Sequence, residues 1–213
     1  QAPAHTQALL DTPPIQDPLG KVVAQNGLKQ LRIAETEKSA HVTFFLDGGQ
    51  DILHPGMHKK LIPSPQVKTY DLCPQMSAHS LTAQLTQALK SNQYDLIVAN
   101  FANADMVGHT GLFNPTVQAI ETLDHCLGEV EKALIESHSQ ALITADHGNA
   151  ECMGTAQHPY TSHTNNPVPL FYIGQQAYTL KPGGELQDIA PTLLSIMGLP
   201  IPAVMTGTPL LNT

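Results

Sequence analysis

The chain has 213 residues, 41% of them apolar, 5% aromatic and none tryptophan, which is enough for one sizeable domain with a core of Leu, Ile, Val and Ala and too apolar for a disordered chain. A formal net charge of −8 argues against nucleic acid and anionic membrane as general partners, and no run reaches the roughly 18 apolar residues of a membrane span. There is one arginine, Arg32, where phosphate-handling proteins use several, and the odd set Cys73, Cys126 and Cys152 has no C-x-x-C spacing; with no visible signal peptide, a reducing, cytoplasmic setting fits better than a disulfide framework.

Residues 1–16, rich in Pro, Ala, Gln and Thr, read as a linker or a segment arriving from elsewhere. Asp17-Pro18 opens a helix through Leu19, Val22 and Val23 that stops at Asn26-Gly27. A strand over 31–34 follows, and Val42-Thr43-Phe44-Phe45-Leu46 reads as another, ending at Asp47-Gly48-Gly49. Residues 50–66, broken by Pro55, Gly56, Pro63 and Pro65, read as mostly loop. Leu81, Leu85 and Leu89 mark a helix over 78–91, and residues 95–100 a short buried strand. Pro115 after Asn114 starts a helix whose apolar face runs from Val117 to Leu134 and ends near 138. A strand over 141–145 precedes a polar loop to Asn166, and another strand covers 169–173. A helix over 189–197 is capped by Asp188 and stopped by Gly198. Strands alternating with helices predict an α/β fold with a mostly parallel sheet flanked by helices and no internal repeat. Ligands in such sheets sit beyond the carboxyl ends of the strands.

Two apolar strands run straight into polar chemistry. The strand at 141–145 ends in Asp146-His147-Gly148-Asn149, and the one at 95–100 leads to Asp105 and His109, four residues apart in a glycine-containing loop. The polar loop also carries His163 in Ser162-His163-Thr164-Asn165-Asn166. Carboxylate oxygens with imidazole nitrogens suit Mn²⁺ or Zn²⁺. Five donors are too many for one open ion and too few for two, so a pair of ions about 4 Å apart, the arrangement that clamps an in-line phosphoryl transfer, requires ligands from outside the chain. Asp146-His147 alone reads equally well as a helix cap. His5, His41, His54, His58, His79, His125, His138 and His158 read as surface residues, with His158 the hardest to set aside. Lys38, in Glu35-Thr36-Glu37-Lys38, reads on spacing alone as a solvated charge. Cys126 and Cys152 read as small buried hydrophobes.

Four segments taken together resemble one family: L-R-I-A-E-T-E-K-S-A-H-V-T-F-F over 31–45, D-M-V-G-H-T-G over 105–111, T-A-D-H-G-N-A-E over 144–151 and H-T-N-N-P-V-P over 163–169. They are similar to the cofactor-independent (2,3-bisphosphoglycerate-independent) phosphoglycerate mutases of the alkaline phosphatase superfamily, over about residues 18–211. The resemblance implies an alkaline-phosphatase-like α/β fold, incomplete at its N-terminal side. Residues 17–213 would form the C-terminal part of the metal-binding domain, and residues 1–16 a linker returning from an absent inserted domain. It implies an isomerase of glycolysis and gluconeogenesis that interconverts 2- and 3-phosphoglycerate through a phosphoserine. Asp105, His109 and His163 would hold one Mn²⁺, and Asp146 and His147 a second. Lys38 would contact the transferring phosphate, which reverses its bland reading. The nucleophilic serine, an aspartate ligand and the substrate-holding arginines would lie outside this chain. The isolated 213 residues would then be inactive, with no metal or partial occupancy, while the full-length enzyme would be a cytoplasmic monomer acting on a small molecule, with no nucleic-acid or membrane partner. Within the matched region Ser39 replaces the usual tyrosine, and Lys59 stands near a place often held by arginine. The rival readings are a related metal-dependent phosphomutase or phosphatase, and a short metal-binding protein without catalysis.

Overall fold

A computed structural model of the chain describes residues 14–155 and 157–212. The linker expected over 1–16 therefore lies, up to residue 13, outside the described residues.

The organising element is β1 (Gln30–Glu35), every residue of which is buried. Parallel neighbours flank it on both edges, β2 (Met57–Ile62) in register Gln30↔Met57 and β3 (Leu96–Asn100) in register Gln30↔Leu96, giving the order β2-β1-β3. Alternation sends Leu31 and Ile33 to one face, where they join Leu81, Leu85 and Leu89 of α3 (Ala78–Ser91) and Val130, Ala133 and Leu134 of α5 (Phe113–Glu136). The second core lies under α1 (Leu19–Gln25) and α6 (Ile189–Ile196), built from Leu19, Val22, Val23, Leu96 and Leu194. Each such fully buried aliphatic side chain contributes about 1.5–3 kcal/mol.

Arg32 is 1% exposed. Its Nη2 donates to Gln30 Oε1 at 2.6 Å, and Gln30 Nε2 donates to the Gly20 carbonyl at 2.7 Å. A Cβ at position 20 would come within 2.7 Å of the guanidinium, so a glycine is what admits it. Burial lowers the Arg32 pKa to about 10 against the opposing pull of Asp47. The lone arginine is spent inside the fold.

The other elements are the helices α2 (Ser39–Val42) and α4 (Asn103–Gly108), the antiparallel pair β4 (Ala141–Thr144) and β5 (Leu170–Ile173), and a second small pair, β6 (Thr179–Leu180) with β7 (Leu211–Asn212). The α/β expectation holds, its parallel character residing in the three-stranded sheet. Among the described residues no helix is long and apolar enough to cross a membrane.

Four local expectations fail for physical reasons. The strand expected over 42–46 is instead the end of α2 and a run of turns. The Phe45 N–H donates to the Ala40 carbonyl at 2.9 Å and the Asp47 N–H to Thr43 at 2.9 Å, so the backbone is satisfied locally and no ladder forms. β-Propensity reports packing against cross-strand neighbours; among the described residues the aromatic partners of Phe44 and Phe45 are each other and His41, and the two rings stay 40% and 58% exposed. Conversely the loop expected over 50–66 contains β2, whose His58, Lys59, Lys60 and Leu61 are all exposed, an outer edge strand with a charged middle and no alternation to read. The helix expected to start at Pro115 begins two residues earlier, at Phe113, which places Pro115 in the first turn where no N–H is needed. Asp188 caps no α6 amide; its carboxylate accepts from the Glu185 and Thr208 N–H groups at 2.8 and 2.7 Å.

Candidate metal centre

The expected donors gather at one end of the sheet because of how the strands end. β1 runs into a 3-10 turn, Thr36–Lys38, that leaves Lys38 beyond its carboxyl end. β3 leads into α4, so the loop expected around an ion is helical. Asp105 and His109 lie one helical turn apart, with the His109 N–H bonded to the Asp105 carbonyl at 3.0 Å. β4 delivers Asp146 and His147. Because Thr144 pairs with Leu170, the loop over 145–169 leaves and returns at that same rim, bringing His163 with it.

Asp105 is the hub. Its Oδ1 lies 3.1 Å from His109 Nε2, 3.4 Å from His163 Nε2 and 3.9 Å from His147 Nε2. Its Oδ2 accepts from Lys38 Nζ at 2.5 Å, with the lysine side chain 9% exposed. Burial pushes the Asp105 carboxyl up, and the adjoining Lys38 ammonium more than reverses this, holding it below the usual carboxylate value. His109 Nδ1 sits 2.6 Å from the Thr161 carbonyl, which orients the ring so that Nε2 faces Asp105 Oδ1. His147 does the same more loosely, Nδ1 lying 3.3 Å from the Gly148 carbonyl. The Nε2 atoms of His109 and His163 face each other at 3.1 Å. Three imidazole Nε2 atoms thus converge on one carboxylate oxygen. Imidazole nitrogens with a carboxylate oxygen are the donor types of a divalent transition-metal site, and a carbonyl against the far ring nitrogen is the outer contact such ligands use.

Asp105, His147 and His163 offer donor atoms within 4.8 Å of one another. That trio takes His147 from the second expected ligand set and joins it to the first. The His147 and His163 rings stack with centroids 3.5 Å apart. Asp146 stands at the rim, its side chain 56% exposed and its Oδ1 3.6 Å from His147 Nε2. His158 is exposed and outside this cluster.

Lys38 is buried, contrary to its solvated reading on spacing alone. His41, read as a surface residue, is half-buried near Lys38, Asp105 and Asp146; its Nδ1 is buried without a partner, and burial and then the Lys38 charge lower its pKa. Asn149, also missed, is 6% exposed and donates to Asp105 Oδ1 at 3.2 Å. The only hint of either was adjacency, one helical turn after Lys38 and two residues after His147. Cys126 is buried as expected, whereas Cys152 is exposed, lying in the polar loop and not beneath it. Beside His109 opens a cleft of about 550 Å³ lined by Lys68, Tyr70, Met106 and Thr110. Burial and the Glu37 carboxylate that accepts its hydroxyl proton push Tyr70 up to about 12, so it meets the cleft neutral.

Comparison with known proteins fits this geometry. The family described as the Metalloenzyme superfamily matches residues 2–201. The 2,3-bisphosphoglycerate-independent phosphoglycerate mutase of Aeromonas salmonicida (strain A449) is 53% identical over 196 residues, 91% of this chain and 38% of that protein. The protein of the same description from Clostridium botulinum (strain ATCC 19397 / Type A) is 49% identical over 200 residues, 93% of this chain and 39% of that one. Among solved structures, a Leishmania mexicana phosphoglycerate mutase at low cobalt concentration superposes with a TM-score of 0.83 at 27% identity, over 91% of this chain and 39% of that chain. The chain thus spans less than two fifths of the length of these relatives.

Proposed function

The chain belongs to the Metalloenzyme superfamily, and on that premise we propose that its 213 residues supply the metal-centre portion of a 2,3-bisphosphoglycerate-independent phosphoglycerate mutase, a cytoplasmic enzyme that interconverts 2- and 3-phosphoglycerate. The observation that carries this is the Asp105 carboxylate, with imidazole nitrogens converging on one oxygen and the Lys38 ammonium on the other. Asp105, His109 and His163 are the ligands of one ion, and Asp146 and His147 of a second; Mn²⁺ suits this mixture of imidazole and carboxylate. Bound divalent ions supply Lewis-acid polarisation of phosphoryl oxygens and activation of an attacking oxygen.

The chain's own residues do the rest of the local work. Asp105 holds the Lys38 ammonium beyond the end of β1, and that ammonium has donors besides the one Asp105 accepts, suited to phosphoryl oxygens as charge builds on them. The Thr161 and Gly148 carbonyls fix which imidazole nitrogen faces the centre. Arg32, sealed against Gly20, is not available to a substrate, so cationic recognition of phosphoglycerate falls to Lys38, the ions and residues outside these 213.

The test is a chimera in which residues 18–211 replace the matching stretch of the Aeromonas salmonicida protein. It is expected to interconvert the two phosphoglycerates with Mn²⁺ and to leave phosphopentoses untouched; the same chimera with Lys38→Met is expected to lose at least about 100-fold in turnover. A folded chimera without turnover, or one that prefers a phosphopentose, overturns the assignment. The 213 residues alone are expected to give no turnover, and mutase activity from them would place the nucleophile inside this chain.

A further inference from the structure

Glu151 is in neither expected ligand set, yet its carboxylate is where the ligand-bearing segments are tied together. Oε2 accepts the Asn149 backbone N–H at 2.7 Å. Oε1 accepts the Thr164 hydroxyl and, at 3.0 Å, the Asn166 side-chain amide. The Thr164 N–H donates to the Gly148 carbonyl at 2.8 Å, so the stretch carrying Asp146 and His147 is joined to the one carrying His163 by a backbone bridge and by a carboxylate clasp. A Cβ on Gly148 would collide with both Thr164 Oγ1 and the Glu151 carboxylate, so only glycine lets the clasp close.

The clasp reaches further than these two stretches. His147 and His163 each neighbour a bridged residue, and their rings stack 3.5 Å apart at 15°. Asn149, whose N–H Glu151 holds, turns its side chain into the centre to donate to Asp105 Oδ1 at 3.2 Å. It does so against Gly108 of α4, where a Cβ would overlap the Asn149 side-chain oxygen. The donors hold the Glu151 carboxyl at about 2, the Thr164 hydroxyl foremost, so the clasp is an anion at neutral pH.

We propose that Glu151 is a positioning residue for the metal centre: it fixes His147, His163 and, through Asn149, Asp105 in one arrangement, so that donors assigned to two ions move as a unit. This rests on the metal reading of those donors. An outer residue of this kind is worth about 10–100-fold in metal affinity.

The test is Co²⁺ binding to the 213-residue chain, followed by calorimetry and by the visible d–d absorption, in the wild type, Glu151→Gln, Thr164→Val, the double variant and His109→Ala, with thermal unfolding of each protein in EDTA. Glu151→Gln is expected to weaken Co²⁺ about 10–100-fold and to change the d–d bands, with the metal-free unfolding midpoint within a few degrees of wild type. Thr164→Val, which keeps the side-chain shape, moves affinity and spectrum the same way, and the double variant loses less than the sum of the two. Wild-type affinity and spectrum in Glu151→Gln, alongside loss of Co²⁺ in His109→Ala, overturns the proposal and leaves the metal reading standing. A metal-free midpoint that falls in step with affinity in both single variants overturns it too, reducing Glu151 to a stability residue. Absence of His109-dependent Co²⁺ binding in the wild type fails the metal reading and removes the proposal with it.

Discussion

Asp105 divides its carboxylate between two tasks. Oδ2 neutralises a buried ammonium, and Oδ1 collects imidazoles. Cutting the pair from the lysine side leaves a carboxylate 15% exposed without its partner, and breaking a buried pair costs about 3–5 kcal/mol, discounted here because Asp105 keeps some contact with solvent. Lys38→Met is therefore expected to lower the urea midpoint and, because no cation then competes for Asp105, to tighten Mn²⁺ binding; unchanged values for both count against the pair. Glu35 is a second buried carboxylate, accepting from the Ser77 N–H at 3.0 Å and the Ser64 hydroxyl at 3.1 Å. Burial pushes its pKa up despite those donors. The folded state thus holds this proton more tightly than the unfolded chain, so the contribution is greatest below the unfolded value of about 4.3 and is lost as pH rises through the raised folded value. Glu35→Gln is expected to gain stability relative to wild type between pH 5 and 7.5, in urea titrations at about those two values; a constant difference contradicts this. At this scale Asp105, His109, Asp146, His147 and His163 were legible as candidates because aspartate and histidine past the end of an apolar strand, or grouped in the polar loop that follows, have no use in a core. Asn149 and Glu151 were not, because their roles depend on Asp105 and Thr164, 44 and 13 positions away.

Elements with a strong period were legible to within a residue or two. α3 matches its expected span because Leu81, Leu85 and Leu89 form one stripe, and Leu81 is fully buried against β1. Leu81→Ala is expected to cost about 2–5 kcal/mol in urea unfolding. The failures came where neighbours outvoted local preference: a β-branched and aromatic run at 42–46 bonds back onto α2, while a lysine-bearing segment becomes β2 because β1 offers it a ladder. α4 is the functional case. A glycine-flanked loop and a short helix both bring Asp105 near His109, but only the helix puts Gly108 beneath Asn149. Gly108→Ala is expected to displace Asn149, costing about 1–3 kcal/mol and weakening Mn²⁺; wild-type stability and affinity would show that the close approach is unimportant.

For the whole molecule, parallel β1 and β3 bring Lys38 and α4 to one end of their sheet, and the loop over 145–169, carried by the separate β4–β5 pair, meets them there through the contacts of His147 and His163 with Asp105. A cation bound among the imidazoles and the carboxylate of the folded state alone raises stability by mass action, about 2.7 kcal/mol at 100 times Kd. The most direct measurement is a calorimetric titration of the 213-residue chain with Mn²⁺, repeated on His109→Ala, whose side chain is 36% exposed and whose loss leaves the core intact. Saturable binding is expected in the wild type, weakening by more than about 100-fold in the variant, beyond what outer-sphere changes cost. Equal titrations for the two proteins, or no saturable heat in either, would contradict it.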